Sequence, residues 1–167
     1  MGDGVVALRG GPGTRRARVG GTWVSNGLLR GEWDETGNLT STRDLEHDRE
    51  VLAPGRAGNV FHLHHDHPAE YDAWDVDRAY LDDVEELGGP VEIDLVERGQ
   101  VRFRRTFGTS SIDQTLVLRP GSRPIAFVTA ADWPSPHRFP TVPSPLAVTP
   151  PRPPFPTPFG RRRPPPH

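Results

Sequence analysis

Residues 91–131 read VEIDLVERGQVRFRRTFGTSSIDQTLVLRPGSRPIAFVTAA, and this stretch decides the fold class. Apolar and polar residues alternate in three runs, namely 91–95, 101–107 and 111–118. Such alternation is typical of strands with one wet face, and it puts Val101, Phe103 and Phe107 on the same side. Residues 119–122 have turn composition, and 125–131 can form a fourth strand. Strands joined by turns, with almost no helix between them, predict an all-β fold in which antiparallel sheets pack as a sandwich.

The strand pattern continues toward the N-terminus. Residues 35–38, Glu-Thr-Gly-Asn, are a turn signal between two apolar runs and predict a hairpin. Residues 59–65 alternate as one more strand, with His62 and His64 on its polar face. Residues 77–87 differ, because their apolar members recur at helical spacing, and they predict one short amphipathic helix.

Composition divides the chain into three parts. Residues 1–21 are mostly Gly, Arg and other non-core residues, and they are interpreted as a linker. Residues 22–133 are the predicted sandwich domain. Residues 134–167 contain 14 prolines and form a Pro-rich tail, which cannot supply a central strand because proline lacks the ladder donor.

Charge and composition exclude several partners. The formal net charge is −2, yet residues 26–133 carry 21 of the 22 acidic side chains, so the body would repel phosphate. We therefore expect no nucleic-acid partner. The N-terminal apolar run is too short for a membrane span, which predicts no membrane partner, and the absence of cysteine fits a reducing compartment. A cytoplasmic protein is the expectation.

Several segments resemble glycoside hydrolase family 38 α-mannosidases. Residues 24–30, 34–41 and 44–52 resemble the start of the β domain that follows the catalytic barrel. Residues 54–59, 66–68 and 71–77, with Tyr80, resemble the bacterial and cytosolic branch of the family. The likeness continues in order through residues 104–108, 112–115 and 132–133, so it covers about residues 22–133.

The resemblance implies a fold and separate roles for the β domain and the catalytic barrel. The fold would be the first part of a galactose mutarotase-like sandwich, and the chain is expected to end before that sandwich is complete. Family members hydrolyse terminal α-mannosides with retention, using a zinc-bearing catalytic barrel. The barrel's His-x-Asp-x-x-Trp signature has one lookalike, which begins at His64, and Ala69 stands where tryptophan is required. We therefore predict no catalytic residue or cofactor in this chain and no activity from it alone. Its partners would be the zinc-bearing barrel of the same enzyme and, through it, carbohydrate.

An acidic segment carries the candidate sugar contacts. Asp72, Asp75 and Asp77 surround Trp74, and an aromatic face with hydrogen-bonding carboxylates suits a sugar. These four residues are the predicted substrate-binding group, at the rim of the sugar site or at the barrel interface. A solvated acidic loop with a structural tryptophan is the alternative.

A metal site is a weaker alternative at the histidine-rich strand. His62 and His64 are two residues apart on one face, a spacing that suits zinc ligands on a strand. A polar strand face that runs into a turn explains the same residues without a metal.

The tail allows three interpretations. His137, Phe139 and Phe155 lie in register with the family pattern, which suggests a decayed or misread strand region. A genuine low-complexity tail is the second interpretation. In the third interpretation, the tail with Arg161 to Arg163 is a Pro-rich motif of the kind that binds aromatic-lined grooves in other proteins. The alternative function is accordingly a stand-alone carbohydrate-binding or Pro-rich interaction module without catalysis.

Overall fold

The computed structural model describes residues 6–7, 17–66, 78–96, 99–148, 155–157 and 160–162. The regular elements of this part of the chain are one 3₁₀ helix, Arg78–Leu81, and fifteen strands. The strands are β1 (Val6–Ala7), β2 (Arg18–Val19), β3 (Trp23–Ser25), β4 (Leu29–Trp33), β5 (Leu39–Asp44), β6 (Arg49–Glu50), β7 (His62–His65), β8 (Val84–Glu86), β9 (Glu92–Val96), β10 (Gln100–Phe107), β11 (Ser110–Val117), β12 (Ala126–Asp132), β13 (Arg138–Thr141), β14 (Phe155–Thr157) and β15 (Gly160–Arg162).

The first six strands form an antiparallel meander in the order β1 to β6. The predicted hairpin is present as β4 and β5. Its turn is held by Asp34, whose Oδ1 accepts the backbone N–H of Thr36 at 2.9 Å and of Asn38 at 3.1 Å. Gly37 takes a φ of 71°, a value that favours glycine, so the sequence signal for this turn has a direct backbone cause.

The segment that decided the fold class forms a second antiparallel sheet in the order β12, β11, β10, β9. All four predicted strands of residues 91–131 are confirmed to within one or two positions. Gly108 (φ 54°) begins the turn from β10 to β11, and Gly121 (φ 70°) lies in the turn before β12.

The two sheets pack face to face and bury one core. Trp33 of the first sheet meets Phe103 of the second edge to face, with ring centroids 5.6 Å apart. The buried cluster draws on both sheets and consists of Val19, Val24, Leu29, Trp33, Leu39, Leu52, Val101, Phe103, Leu116 and Leu118. The predicted all-β antiparallel sandwich is therefore confirmed.

A third sheet, in the order β13, β7, β8, corrects one prediction. The helix expected over residues 77–87 is wrong, because the single 3₁₀ turn ends at Leu81 and β8 pairs with β7. In a helix Asp82 and Glu86 would stand one turn apart and repel each other. An extended conformation separates these charges, and it lets β8 form backbone hydrogen bonds with the free edge of β7.

Part of the Pro-rich tail is hydrogen-bonded to the body. β13 lies at the outer edge of the third sheet, where the missing N–H of Pro140 can be tolerated. Farther on, Ala53 donates its N–H to the carbonyl of Pro145 at 2.7 Å, and Leu146 forms an isolated bridge with Leu52. β14 pairs with β15 as a separate two-stranded ladder. The predicted domain boundaries and the origin of the tail stay predictions.

Candidate functional site

The predicted sugar-contacting residues Asp72, Trp74, Asp75 and Asp77 lie outside the described residues. The structure describes the flanks of their segment, which are the end of β7 and the 3₁₀ helix that begins at Arg78.

Buried His64 ties these flanks together. Its Nδ1 lies 3.0 Å from the carbonyl oxygen of Tyr80, and since a carbonyl only accepts, Nδ1 carries the proton. Nε2 then accepts from the Thr141 hydroxyl at 2.8 Å. The imidazole also stacks on Phe139, with centroids 5.0 Å apart. One side chain thus joins β7, the helix and β13 at the base of the acidic segment.

The hydrogen bonds of His64 affect the alternative prediction that His62 and His64 bind a metal ion. A neutral imidazole ligates through its unprotonated nitrogen, which here is the atom that Thr141 occupies. The two histidine rings are 6.4 Å apart by their centroids. No group of three or more His, Cys, Asp or Glu side chains able to hold a metal ion occurs among the described residues.

One described opening is a cavity of about 430 Å³ that is lined by residues of both sheets. Its walls are mainly apolar and include Leu29, Leu39, Ile125 and Phe127. One part of the cavity has a charged lining, which is formed by Asp44, Arg49 and Arg123. The cavity is therefore an apolar cleft with a polar border, and it lies between β4 to β6 of the first sheet and β12 of the second.

Asp44 is the buried charge at this border. Its Oδ2 accepts a hydrogen bond from Nδ1 of His47 at 2.8 Å, and its Oδ1 accepts the backbone N–H groups of Glu46 and His47 at 3.1 and 3.2 Å. The Arg123 guanidinium lies 3.6 Å away. The bond from His47 holds the pKa of Asp44 below its ordinary value, against the opposing effect of burial.

Asp44→Asn should therefore make the chain less sensitive to acid. A lowered folded-state pKa means that the Asp44 carboxylate stabilises the fold fully above the unfolded carboxyl pKa, and that this contribution is lost as the pH falls through the folded value. Urea unfolding at pH 7 and near pH 3 measures it. We expect Asp44→Asn to be less stable than the wild type at pH 7, with a smaller difference in acid.

Asp48→Asn, which removes an exposed ion pair with Arg43, is the control and should change the stability little. A constant Asp44→Asn difference across this range would contradict the assignment.

A second buried polar group connects the two sheets. Asn59, at a φ of 59°, donates from Nδ2 to the Gly37 carbonyl at 3.0 Å and to Oε1 of Gln114 at 2.8 Å. Arg105 lies alongside, 5% exposed, and donates from Nη2 to the Thr36 carbonyl at 2.9 Å. Burial lowers the pKa of Arg105 to about 10.

This buried polar group was not predicted from the sequence, although the alternation of β10 contained a signal for Arg105. The alternation that placed Val101 and Phe103 inward also puts Arg105 on the inner face. Its guanidinium carbon lies 4.8 Å from the ring centroid of Phe61, and this stacking helps to accommodate a cation in the core. The arrangement is architectural, because it joins the β4–β5 turn to both β10 and β11.

The comparisons with known proteins agree with this architecture. The model of the glycosyl hydrolases family 38 C-terminal domain matches residues 24–163. The chain belongs to this family.

Two relatives of this family 38 domain are alpha-mannosidases. Alpha-mannosidase 2C1 of Homo sapiens is 33% identical over 135 residues, which cover 77% of this chain and 13% of that protein. Alpha-mannosidase 2C1 of Mus musculus is 31% identical over 154 residues, covering 89% of this chain and 15% of that protein. The matched region therefore spans about one seventh of the length of these relatives.

The residues that carried the family 38 resemblance are largely structural. Gln114 belongs to the buried polar group, and Arg105 is the buried cation. Trp133 packs against Phe107, with ring centroids 4.9 Å apart, and donates from Nε1 to the carbonyl of Arg138 at 2.9 Å. Arg105 and Gln114 help to join the two sheets. Trp133 fixes the position of the segment that follows β12. Within the described residues, no helix is long and apolar enough to cross a membrane.

Proposed function

We propose that this chain is the non-catalytic β domain of an α-mannosidase and supports the domain that hydrolyses terminal α-mannosides. The observation that carries the proposal is the family 38 C-terminal domain match over residues 24–163. The alpha-mannosidases that it resembles are several times longer than the matched region, which leaves room in them for a separate catalytic part.

In this proposal the zinc ion and the reacting carboxylates belong to the catalytic domain. Zinc is held by three or four converging nitrogen, sulfur or oxygen ligands. The described residues of this chain do not offer such a set. The chain's own contribution is a rigid body, whose two sheets share one core and whose buried polar group joins them.

The proposal places the acidic segment at the rim of the sugar site or at the interface with the catalytic barrel. Asp72, Asp75 and Asp77 supply hydrogen-bond acceptors for sugar hydroxyls, and Trp74 supplies an aromatic face. Support comes from the flanks, since the 3.0 Å bond from His64 to Tyr80 holds both ends of the segment on one folded unit. The proposed location of the chain is the cytoplasm, which is compatible with its lack of cysteine.

The purified chain should not hydrolyse an activated aryl α-mannoside, even with added zinc. Release of the chromophore is compared with that of a heat-denatured sample, and human alpha-mannosidase 2C1 is the positive control. Turnover that is above the denatured sample and is lost with a chelator would contradict the proposal, because it would require a complete metal-dependent site in this chain.

A further inference from the structure

The outer edge of the second sheet is an unprotected strand. β12 pairs with β11 on one side, and within the described residues no strand pairs with its other side. All seven of its residues are exposed. Alternate backbone N–H and C=O groups of an edge strand point away from its neighbour and are open to pairing with another chain.

Most of this edge lacks the features that usually prevent pairing, and the one charged residue of β12, Asp132, stands at its end. Natural edge strands carry charged side chains, proline or bulges. Residues 126–131 read AFVTAA, with no charged residue and no proline, and the pairing of β12 with β11 runs without a register shift. Val128 is 64% exposed and Phe127 is 39% exposed, so the strand also presents apolar surface.

We propose that β12 pairs antiparallel with β12 of a second copy of this chain, about a two-fold axis at Thr129. This arrangement puts Thr129 opposite its own counterpart. Phe127 then faces Ala131 of the second copy, Val128 faces Ala130, and Ala126 faces Asp132. The two four-stranded sheets would join into one sheet of eight strands, and a two-fold contact of this kind closes on itself.

The side chains of β12 suit this register on both faces of the sheet. Phe127, Thr129 and Ala131 lie on the inner face, since they stand opposite the buried residues of β11. Val128 and Ala130 lie on the outer face. On each face the register sets a large side chain beside an alanine, which avoids crowding. Threonine pairs are favourable across strands, and no like charges meet.

One added ladder buries less surface than a standard stable interface, so the dimer should be weak and concentration-dependent. A dissociation constant that is roughly micromolar or weaker is expected. The inference depends on the described sheet alone and is independent of the mannosidase proposal.

Sedimentation velocity over a range of protein concentrations tests the pairing. The wild-type chain should shift from monomer to dimer. Thr129→Lys sets two like charges directly opposite each other and should weaken the dimer about tenfold or more. Thr129→Glu should do the same. An equimolar mixture of the two variants should form the dimer again, because a lysine then faces a glutamate. Thr115→Lys, at a half-buried position on β11 away from the edge, is the control and should dimerise like the wild type.

Rescue by the mixture separates pairing from misfolding, because two misfolded variants would not restore one another. A wild-type chain that is monomeric at all concentrations would overturn the inference. Dimers or larger assemblies that Thr129→Lys leaves unchanged would also overturn it. So would a mixture that shows no more dimer than either variant alone.

Discussion

Asn26→Asp is expected to destabilise the sandwich by about 3–5 kcal/mol, a large part of the total stability of a domain of this size. Asn26 is fully buried, and its side chain makes four hydrogen bonds. Nδ2 donates to the carbonyls of Arg119 and Ser122 at 2.8 and 2.6 Å. Oδ1 accepts the backbone N–H groups of Leu28 and Leu29, both at 3.0 Å.

Aspartate has the same shape but lacks the two donors. Its second oxygen would point at two carbonyl oxygens within hydrogen-bonding distance, so the carboxylate would be buried against negative dipoles. The change would also release the turn before β12 from the loop between β3 and β4. Both sheets would thereby lose a link that the sequence pattern does not reveal.

Urea unfolding followed by tryptophan fluorescence measures this loss, and a missing cooperative transition would be the extreme form of the same result. Gln100→Glu makes the same amide-to-acid change at a half-buried position on β10. It should cost about 1 kcal/mol or less. Equal effects of the two substitutions would show that the Asn26 contacts do not hold the sheets together.

Phe103→Ala is expected to cost about 3–5 kcal/mol, the range for truncating a fully buried phenylalanine. The Phe103 ring is inaccessible to solvent and meets Trp33 of the opposite sheet. Its removal leaves a cavity between the sheets, and the rigid strands on both sides can close it only in part.

Phe127→Ala is the matched control, because Phe127 lies on the same face of the sheet but at its exposed edge. Partial exposure limits its expected cost to roughly 1–2 kcal/mol. The two midpoints are compared by urea unfolding in dilute protein. A Phe103→Ala cost no larger than that of Phe127→Ala would contradict the packing of the two sheets.

The sandwich was predictable because its strands alternate cleanly and its turns carry glycine. The runs over residues 91–131 and the turn at Gly37 specify strand, face and reversal by local chemistry alone. The segment after Arg78 was not predictable in this way, since helical spacing of three apolar residues outweighed the repulsion among its acids. β8 forms because the edge of β7 is available, and a single sequence does not show which edges are free.

The polar contacts were less predictable than the strands. Arg105 lies on the inner face that its alternation implies, yet a buried arginine needs contacts such as those with Phe61 and the Thr36 carbonyl, which are distant in sequence. Asn26 resembles any turn asparagine until its contacts across 93 and 96 residues are known. The sugar-contact assignment of Asp72, Trp74, Asp75 and Asp77 stays a prediction.

Replacement of one domain in human alpha-mannosidase 2C1 tests the supporting role most directly. The segment of that protein that aligns with this chain, 135 residues long, is exchanged for the corresponding residues of this chain. Hydrolysis of an aryl α-mannoside is then measured. If this domain supports the catalytic part, the exchanged enzyme keeps its activity within about tenfold, and Asn26→Asp in the exchanged segment abolishes it. Full activity after simple deletion of the segment, or after exchange with the Asn26→Asp form, would contradict a supporting role for this domain.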